Sequence, residues 1–152
     1  MAVHGVSRST RDLDLLVMTA ECLAAATWAP LERPGVTVDI RRGDDDDPLA
    51  GVVRVSAPGE SPVDVIVGRA PWQRGVIERA RTATLDDIDV PVATAADVIV
   101  LKLYAAGPQD AWDVDQLLAA GDRAALVARV EAALPLLPED SRRLWARIVG
   151  PR

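Results

Sequence analysis

The fold is decided by the stretch Arg8-Ser9-Thr10-Arg11-Asp12-Leu13-Asp14-Leu15-Leu16-Val17. Acidic and apolar residues alternate in its second half, which predicts a β-strand because alternate side chains of a strand share one face. Asp12 and Asp14 are therefore expected on one face, and Leu13 and Leu15 are expected in a core. Two carboxylates this close repel each other unless a cation lies between them. Taken alone, the pattern also fits a solvated strand edge with scattered charges.

The composition indicates a globular domain of ordinary size. The chain has 152 residues, of which 49% are hydrophobic and 26% are charged, and this length can bury a core without disulfide bonds. The single cysteine excludes an internal disulfide and favours a reducing, cytoplasmic location. The net charge of −6 argues against non-specific DNA binding, which depends on a basic surface. No apolar run reaches the ~20 residues of a membrane span, so we expect no membrane association.

The first half of the chain is rich in strand patterns. Three alternating segments predict strands after the first one, at residues 36–41, 51–56 and 62–67. Helices are predicted from Thr19 to Pro30 and over residues 72–81, and a short edge strand is predicted at residues 89–92. The four consecutive aspartates at residues 44–47 are interpreted as a solvated hairpin tip, because they lack the spacing of a calcium-binding loop.

The second half of the chain is helical. Thr94-Ala95-Ala96-Asp97 has the form of a capping box and starts a helix that Gly107 is expected to end. Asp122 is expected to cap a later helix. The resulting fold class is α+β, with a mixed sheet of four to five strands flanked by helices over residues 1–92. Residues 93–152 form a helical half packed on this core in the same globular unit.

Two charged residues lie in segments that are otherwise apolar. Asp64 belongs to a strand that is apolar on both faces and is therefore expected to be central, where a carboxylate is costly unless it is paired or binds a metal. Taken alone, Asp64 also fits an aspartate at a sheet edge that faces water. Lys102 is the one charge of an apolar helix and requires an anion, unless its stem carries the ammonium group to water. Asp110 and Asp113 share a face of the next helix, a spacing that also fits acids placed at a helix N-terminus.

Three carboxylates and a lysine are suited to two-metal phosphoryl or nucleotidyl transfer. Magnesium prefers oxygen ligands and bridges substrate phosphates. Two ions ~4 Å apart hold the attacking and leaving oxygens of an in-line displacement. A lysine neutralises the charge of a triphosphate. The candidate residues for this chemistry are Asp12, Asp14, Asp64 and Lys102.

The chain resembles the minimal nucleotidyltransferases of the DNA-polymerase-β-like superfamily, and within it the AbiEii-type toxins of bacterial toxin–antitoxin and abortive-infection systems. Residues 4–14 look like the family's Arg-x-Thr-x-Asp-hydrophobic-Asp segment, and residues 63–66 look like its third-carboxylate strand. Residues 102–113 look like its Lys…Lys/Gln-Asp-x-x-Asp signature. The three segments occur in the family's order and span most of the chain.

The resemblance implies a metal site and a nucleotide site. Mg²⁺ or Mn²⁺ would be bound by the carboxylates of Asp12, Asp14 and Asp64. The substrate would be an NTP whose phosphates face Lys102, and Asp110 would order the site by pairing with that lysine.

Two arginines stand just before the acidic pair. Arg8 and Arg11 are candidates for contacts with the nucleotide or the acceptor, because a phosphate-bearing ligand of the metal would lie near them. The superfamily also has a Gly-Gly or Gly-Ser segment upstream of the acidic pair, whose backbone amides hold the triphosphate. The sequence given does not contain that segment, so we expect an N-terminally short member.

Two functions follow as alternatives from the resemblance. The first is an enzyme that transfers a nucleotide from an NTP to RNA, especially tRNA, or to a protein hydroxyl, in a toxin–antitoxin or phage-defence system with a cognate partner. The second is a catalytically degenerate binding or antitoxin module with the same fold. A metal-dependent phosphohydrolase is less favoured, because the only histidine is His4. The base preference and the acceptor stay open.

Overall fold

The computed structural model describes residues 4–5, 13–45, 47, 49–85 and 87–150. The chain divides into two compact units, one formed by residues 9–78 and the other by residues 1–8 together with residues 79–152. The predicted α+β class is confirmed, with a mixed four-stranded sheet, flanking helices and a helical C-terminal half. The helical half was expected to begin after residue 92. Residue 92 is the last residue of the final strand, which belongs to the second unit together with the helices that follow.

The first unit is built on a four-stranded sheet with the spatial order β1-β4-β3-β2. Its strands are β1 (Leu13–Val17), β2 (Thr37–Arg42), β3 (Leu49–Ser56) and β4 (Val63–Gly68). Strand β1 is parallel to β4, while β3 is antiparallel to both β4 and β2. The central position predicted for the strand of Asp64 is confirmed, because β4 lies between β1 and β3.

One face of this sheet carries the core of the first unit. Leu23, Val53, Val65 and Val67 are buried there against partly buried apolar neighbours. The prediction that β1 buries its leucines is wrong, since Leu13 and Leu15 remain 50% and 43% exposed. Strand β1 is an edge strand, and the helical segment that follows it packs on β2, β3 and β4.

The helix predicted from Thr19 to Pro30 is interrupted. A 3₁₀ turn (Ala20–Leu23) is followed by α1 (Ala25–Trp28) and a second 3₁₀ turn (Ala29–Leu31). Ala24 breaks the helix with extended torsions, φ −89° and ψ 128°. The indole N–H of Trp28 donates to the carbonyl of Cys22 at 2.7 Å, which satisfies an oxygen near the break. Helix α2 (Pro71–Glu78) ends the unit.

The second unit begins with a β-hairpin formed by β5 (Arg81–Leu85) and β6 (Ile88–Val92). The short edge strand predicted at residues 89–92 is confirmed as β6, which has β5 as its one neighbour in a separate two-stranded sheet. Strand β5 itself was not predicted. Asp87 adopts the left-handed conformation in the turn, with φ 64°, which aspartate tolerates better than most residues. A tight turn therefore pairs β6 with its neighbour in sequence.

Four helices follow the hairpin: α3 (Ala95–Ala105), α4 (Asp110–Ala120), α5 (Arg123–Ala133) and α6 (Glu139–Val149). They bury a common core that includes Ile99, Leu103, Leu117 and Trp145. No helix in the described ranges combines the length and apolar character that a bilayer span requires.

The predicted helix caps are confirmed at two N-termini. Thr94 Oγ1 accepts the N–H of Asp97, and Asp122 accepts the N–H of Ala125. The C-terminus of α3 differs from the prediction, because Ala106 adopts the left-handed conformation expected of Gly107, with φ 50°.

Candidate functional site

Asp14 and Asp64 are brought together by strand pairing in the first unit. They are direct register partners on the parallel strands β1 and β4, which places their Cα atoms about 4.8 Å apart and their side chains on one face. This face is opposite to the buried core. The other predicted residues of this region, namely Asp12, Arg8 and Arg11, lie outside the described residues.

A cation lies on the other side of Asp64. Arg54 is the register partner of Asp64 on β3, and Arg54 is in turn paired with Asp39 on β2. The polar row, which we define as Asp14, Asp64, Arg54 and Asp39, therefore crosses all four strands. Asp64 lies between a carboxylate on one side and a guanidinium on the other.

The carboxylate of Asp64 is incompletely satisfied. Its Oδ2 lies 3.6 Å from Arg54 Nη1, which is an ion pair and too long for a hydrogen bond. Its Oδ1 is buried and has no hydrogen-bond partner among the described residues. Buried polar atoms are nearly always paired with protein, water or an ion. The chemistry of this oxygen, with a second carboxylate on the next strand, suits a cation that prefers oxygen ligands.

The described residues contain only part of the ligand set that a divalent cation would need. Within those residues, no group of three or more His, Cys, Asp or Glu side chains is arranged to hold a metal ion. Asp14 and Asp64 supply two carboxylates, and the expected third ligand, Asp12, is outside the described ranges. The unsatisfied oxygen of Asp64 is therefore the observation that fits the implied Mg²⁺.

Lys102 forms an ion cluster in the second unit. Its Nζ lies 3.0 Å from Asp110 Oδ1 and 2.6 Å from Asp113 Oδ2. Asp113 is completely buried. The N–H of Gly107 donates to the remaining oxygen of Asp110 at 2.6 Å. The anion that a buried lysine requires is thus supplied within the protein, and the pairing suggested for Asp110 is present.

The electrostatics of this cluster keep the lysine charged. Burial by itself would lower the pKa of Lys102, but hydrogen bonds and charge attraction from Asp113 and Asp110 outweigh it. The pKa of Lys102 is therefore raised above its ordinary value. The three groups together carry a formal charge of −1, and their ion pairs connect helix α3 to helix α4. The role of Lys102 towards nucleotide phosphates stays a prediction.

Arg54 is the site residue that the sequence analysis did not single out. Its strand was predicted, and alternation with Val53 and Val55 places its side chain on the outer face. The missing information was the register, because pairing between β3 and β4 aligns Arg54 with Asp64. His4, which was also left without a role, lies with Nε2 2.8 Å from the carbonyl oxygen of Ala93 in the second unit.

No protein-family model and no curated protein matches this chain.

Proposed function

We propose that the protein is a nucleotidyltransferase-like enzyme that binds Mg²⁺ or Mn²⁺ and transfers a nucleotide from an NTP to an acceptor hydroxyl. The metal ligands are Asp12, Asp14 and Asp64. The observation that carries the proposal is the parallel register of Asp14 with Asp64, whose buried Oδ1 lacks a hydrogen-bond partner among the described residues.

Electrostatic repulsion supports a cation at this position. Two carboxylates on neighbouring strands destabilise each other unless positive charge compensates them. Arg54 compensates Asp64 from the β3 side at 3.6 Å, and β1 lies on the opposite side of β4. When bound, a divalent cation supplies Lewis-acid stabilisation to phosphate oxygens. The role of the carboxylates is to hold and orient that cation on the sheet face.

The acceptor and the biological setting come from the resemblance. RNA, especially tRNA, and protein hydroxyls are the acceptor classes of this proposal, and the setting is a toxin–antitoxin or phage-defence system with a cognate partner. For Lys102, Asp110, Arg8 and Arg11, contact with the nucleotide stays a prediction from the resemblance.

Metal binding provides the direct test. Mn²⁺ binding, followed by electron paramagnetic resonance with and without each NTP, is expected in the wild type. Asp14→Asn and Asp64→Asn should each weaken it by about tenfold or more, because each removes a charged oxygen ligand. Asp39→Asn is the matched control, since Asp39 lies in the polar row but is not adjacent to Asp64. An equal loss in all three variants, or no binding in the wild type, contradicts the proposal.

One observation favours the second candidate, a catalytically degenerate binding or antitoxin module. Lys102 is engaged by two carboxylates, so its charge is already compensated within the protein. An assay with each α-³²P-labelled NTP separates the two candidates. Transfer of label to RNA or protein supports the enzyme, whereas metal-dependent NTP binding without transfer supports the binding module.

A further inference from the structure

The outer edge of strand β5 in the second unit is open. Strand β5 pairs with β6, and no third strand joins them in the described part of the chain. Among the helices and strands, β5 and β6 make their main contacts with each other. A two-stranded hairpin is only marginally stable by itself, and an unpaired strand edge is a template for another strand. The hairpin therefore presents an edge that a further strand can extend.

The two edges of the hairpin differ in what they offer to such a strand. Pro91 on β6 has no N–H group, so its pair with Thr82 cannot exchange two hydrogen bonds. Hydrogen-bonded pairs alternate along an antiparallel ladder, so the N–H and C=O groups of Thr82 and Thr84 point away from β6. Both threonines are exposed. The edge of β5 therefore keeps its donors and acceptors, whereas Pro91 removes a donor from the edge of β6.

Unpaired charges of opposite sign lie near the two ends of β5. Arg81 begins the strand, and Asp87 lies in the turn that follows it. Both residues are exposed, and neither forms an ion pair with another described residue. Between them, Leu85 remains 43% exposed. Antiparallel pairing of this edge with a second copy of itself would bring each free charge to its opposite, so the edge is complementary to itself.

We propose that two copies of this chain associate through β5, which pairs antiparallel with the β5 of the other copy across a two-fold axis at Ala83. Thr82 of each copy then lies opposite Thr84 of the other, so their outward N–H and C=O groups form hydrogen bonds. Arg81 lies diagonal to Asp87 of the other copy, within the reach of its long side chain, and this ion pair occurs twice. The two hairpins together form one four-stranded sheet.

The concentration dependence of the mass tests the association. Five-residue strands bury less than the ~1,200 Å² of a stable interface, so the dimer should be weak and should form between about 1 and about 200 µM in sedimentation velocity. Arg81→Glu brings like charges together twice and should weaken the dimer about tenfold or more. Arg81→Lys keeps the charge and should retain most of the affinity. Arg123→Glu is the matched control, because it makes the same charge change at an exposed residue of α5.

Crosslinking tests the register. Ala83 would face its own counterpart in a pair without hydrogen bonds, whose Cα atoms lie ~4.5 Å apart and within the reach of a disulfide. Ala83→Cys, oxidised with copper phenanthroline, should form a covalent dimer much faster than Val90→Cys. Val90 lies on the same face of the hairpin but on β6, one strand further from the axis. Both variants also carry Cys22→Ala, so that the introduced thiol is the only one in the chain.

Hydrogen exchange gives a measurement on the wild type that needs no variant. The amides of Thr82 and Thr84 should exchange more slowly as the protein concentration rises. The proposal is overturned if the protein stays monomeric at the highest concentration and these amides show no change. It is also overturned if Val90→Cys crosslinks as fast as Ala83→Cys, or if Arg81→Glu and Arg123→Glu weaken the dimer equally. None of these measurements involves a metal or a nucleotide, so their outcome is independent of the proposed function.

Discussion

Asp14 and Asp64 are register partners on the parallel strands β1 and β4, and their carboxylates leave the same face of the sheet. Parallel pairing brings together two residues that are 50 positions apart in the sequence. The cost of this placement is electrostatic repulsion between the two carboxylates, and Arg54 offsets part of it from the β3 side. A ligand that binds the folded state at this position should therefore stabilise the protein.

Magnesium is expected to raise the free energy of unfolding of the wild type. At a free concentration 100 times the dissociation constant, the gain is about 2.7 kcal/mol if the unfolded chain does not bind the ion. Urea titrations with Mg²⁺ and with EDTA measure it. Asp14→Asn and Asp64→Asn should lose most of the gain, while Asp39→Asn should retain it. A gain of the same size in Asp64→Asn would place the bound ion elsewhere.

The central position of the Asp64 strand was predictable from sequence, because a strand that is apolar on both faces is expected inside a sheet. The residues that lie beside Asp64 on the neighbouring strands could not be predicted in the same way. The positions of Arg54 and Asp14 beside it depend on the register of two strand pairs. Register is set by the packing of whole strands and by turn geometry rather than by local pattern. The candidate site was therefore predicted as a set of residues, without its geometry.

Loss of the lysine from the ion cluster of the second unit should be strongly destabilising. Lys102→Met leaves the buried carboxylate of Asp113 without its ammonium partner at 2.6 Å, and breaking a buried pair in this way costs about 3–5 kcal/mol. Urea denaturation at pH 7 measures the loss. The double variant Lys102→Met/Asp113→Leu should recover much of it, because no buried charge is left at position 113. If the single and double variants are equally destabilised, the cost comes from lost packing.

The same cluster predicts a dependence of stability on alkaline pH. The pKa of Lys102 is raised in the folded state, so its stabilising contribution is fully present below the unfolded-state pKa of about 10.4. The contribution is lost as the pH rises through the higher folded-state pKa. The difference in unfolding free energy between wild type and Lys102→Met should therefore stay constant from neutral pH to about pH 10 and shrink above it. A difference that shrinks below pH 9 would contradict the raised pKa.

Local signals predicted the N-terminal caps of α3 and α5, but not every cap or every helix. Thr94 and Asp122 each accept a hydrogen bond from the backbone N–H three residues later, so these caps can be predicted from the local sequence. The helix expected after β1 was predicted from a capping residue, Thr19, and an apolar stripe up to Pro30. Thr19 makes no side-chain capping hydrogen bond, and tertiary contacts override such local signals. There, burial of Leu23 against the sheet and the indole contact of Trp28 accompany a break at Ala24. The sequence contains no local signal for that break.

Two leucines of the first unit should differ sharply when each is shortened to alanine. Leu23 lies in the core with 4% exposure, so Leu23→Ala should cost about 2–5 kcal/mol through lost burial and the cavity it leaves. Leu15 lies on the edge strand β1 and is 43% exposed, so Leu15→Ala should cost less than about 1.5 kcal/mol. Urea midpoints of the two variants, measured in EDTA to exclude metal effects, make the comparison. Equal costs would mean that the exposed side of β1 is covered in solution.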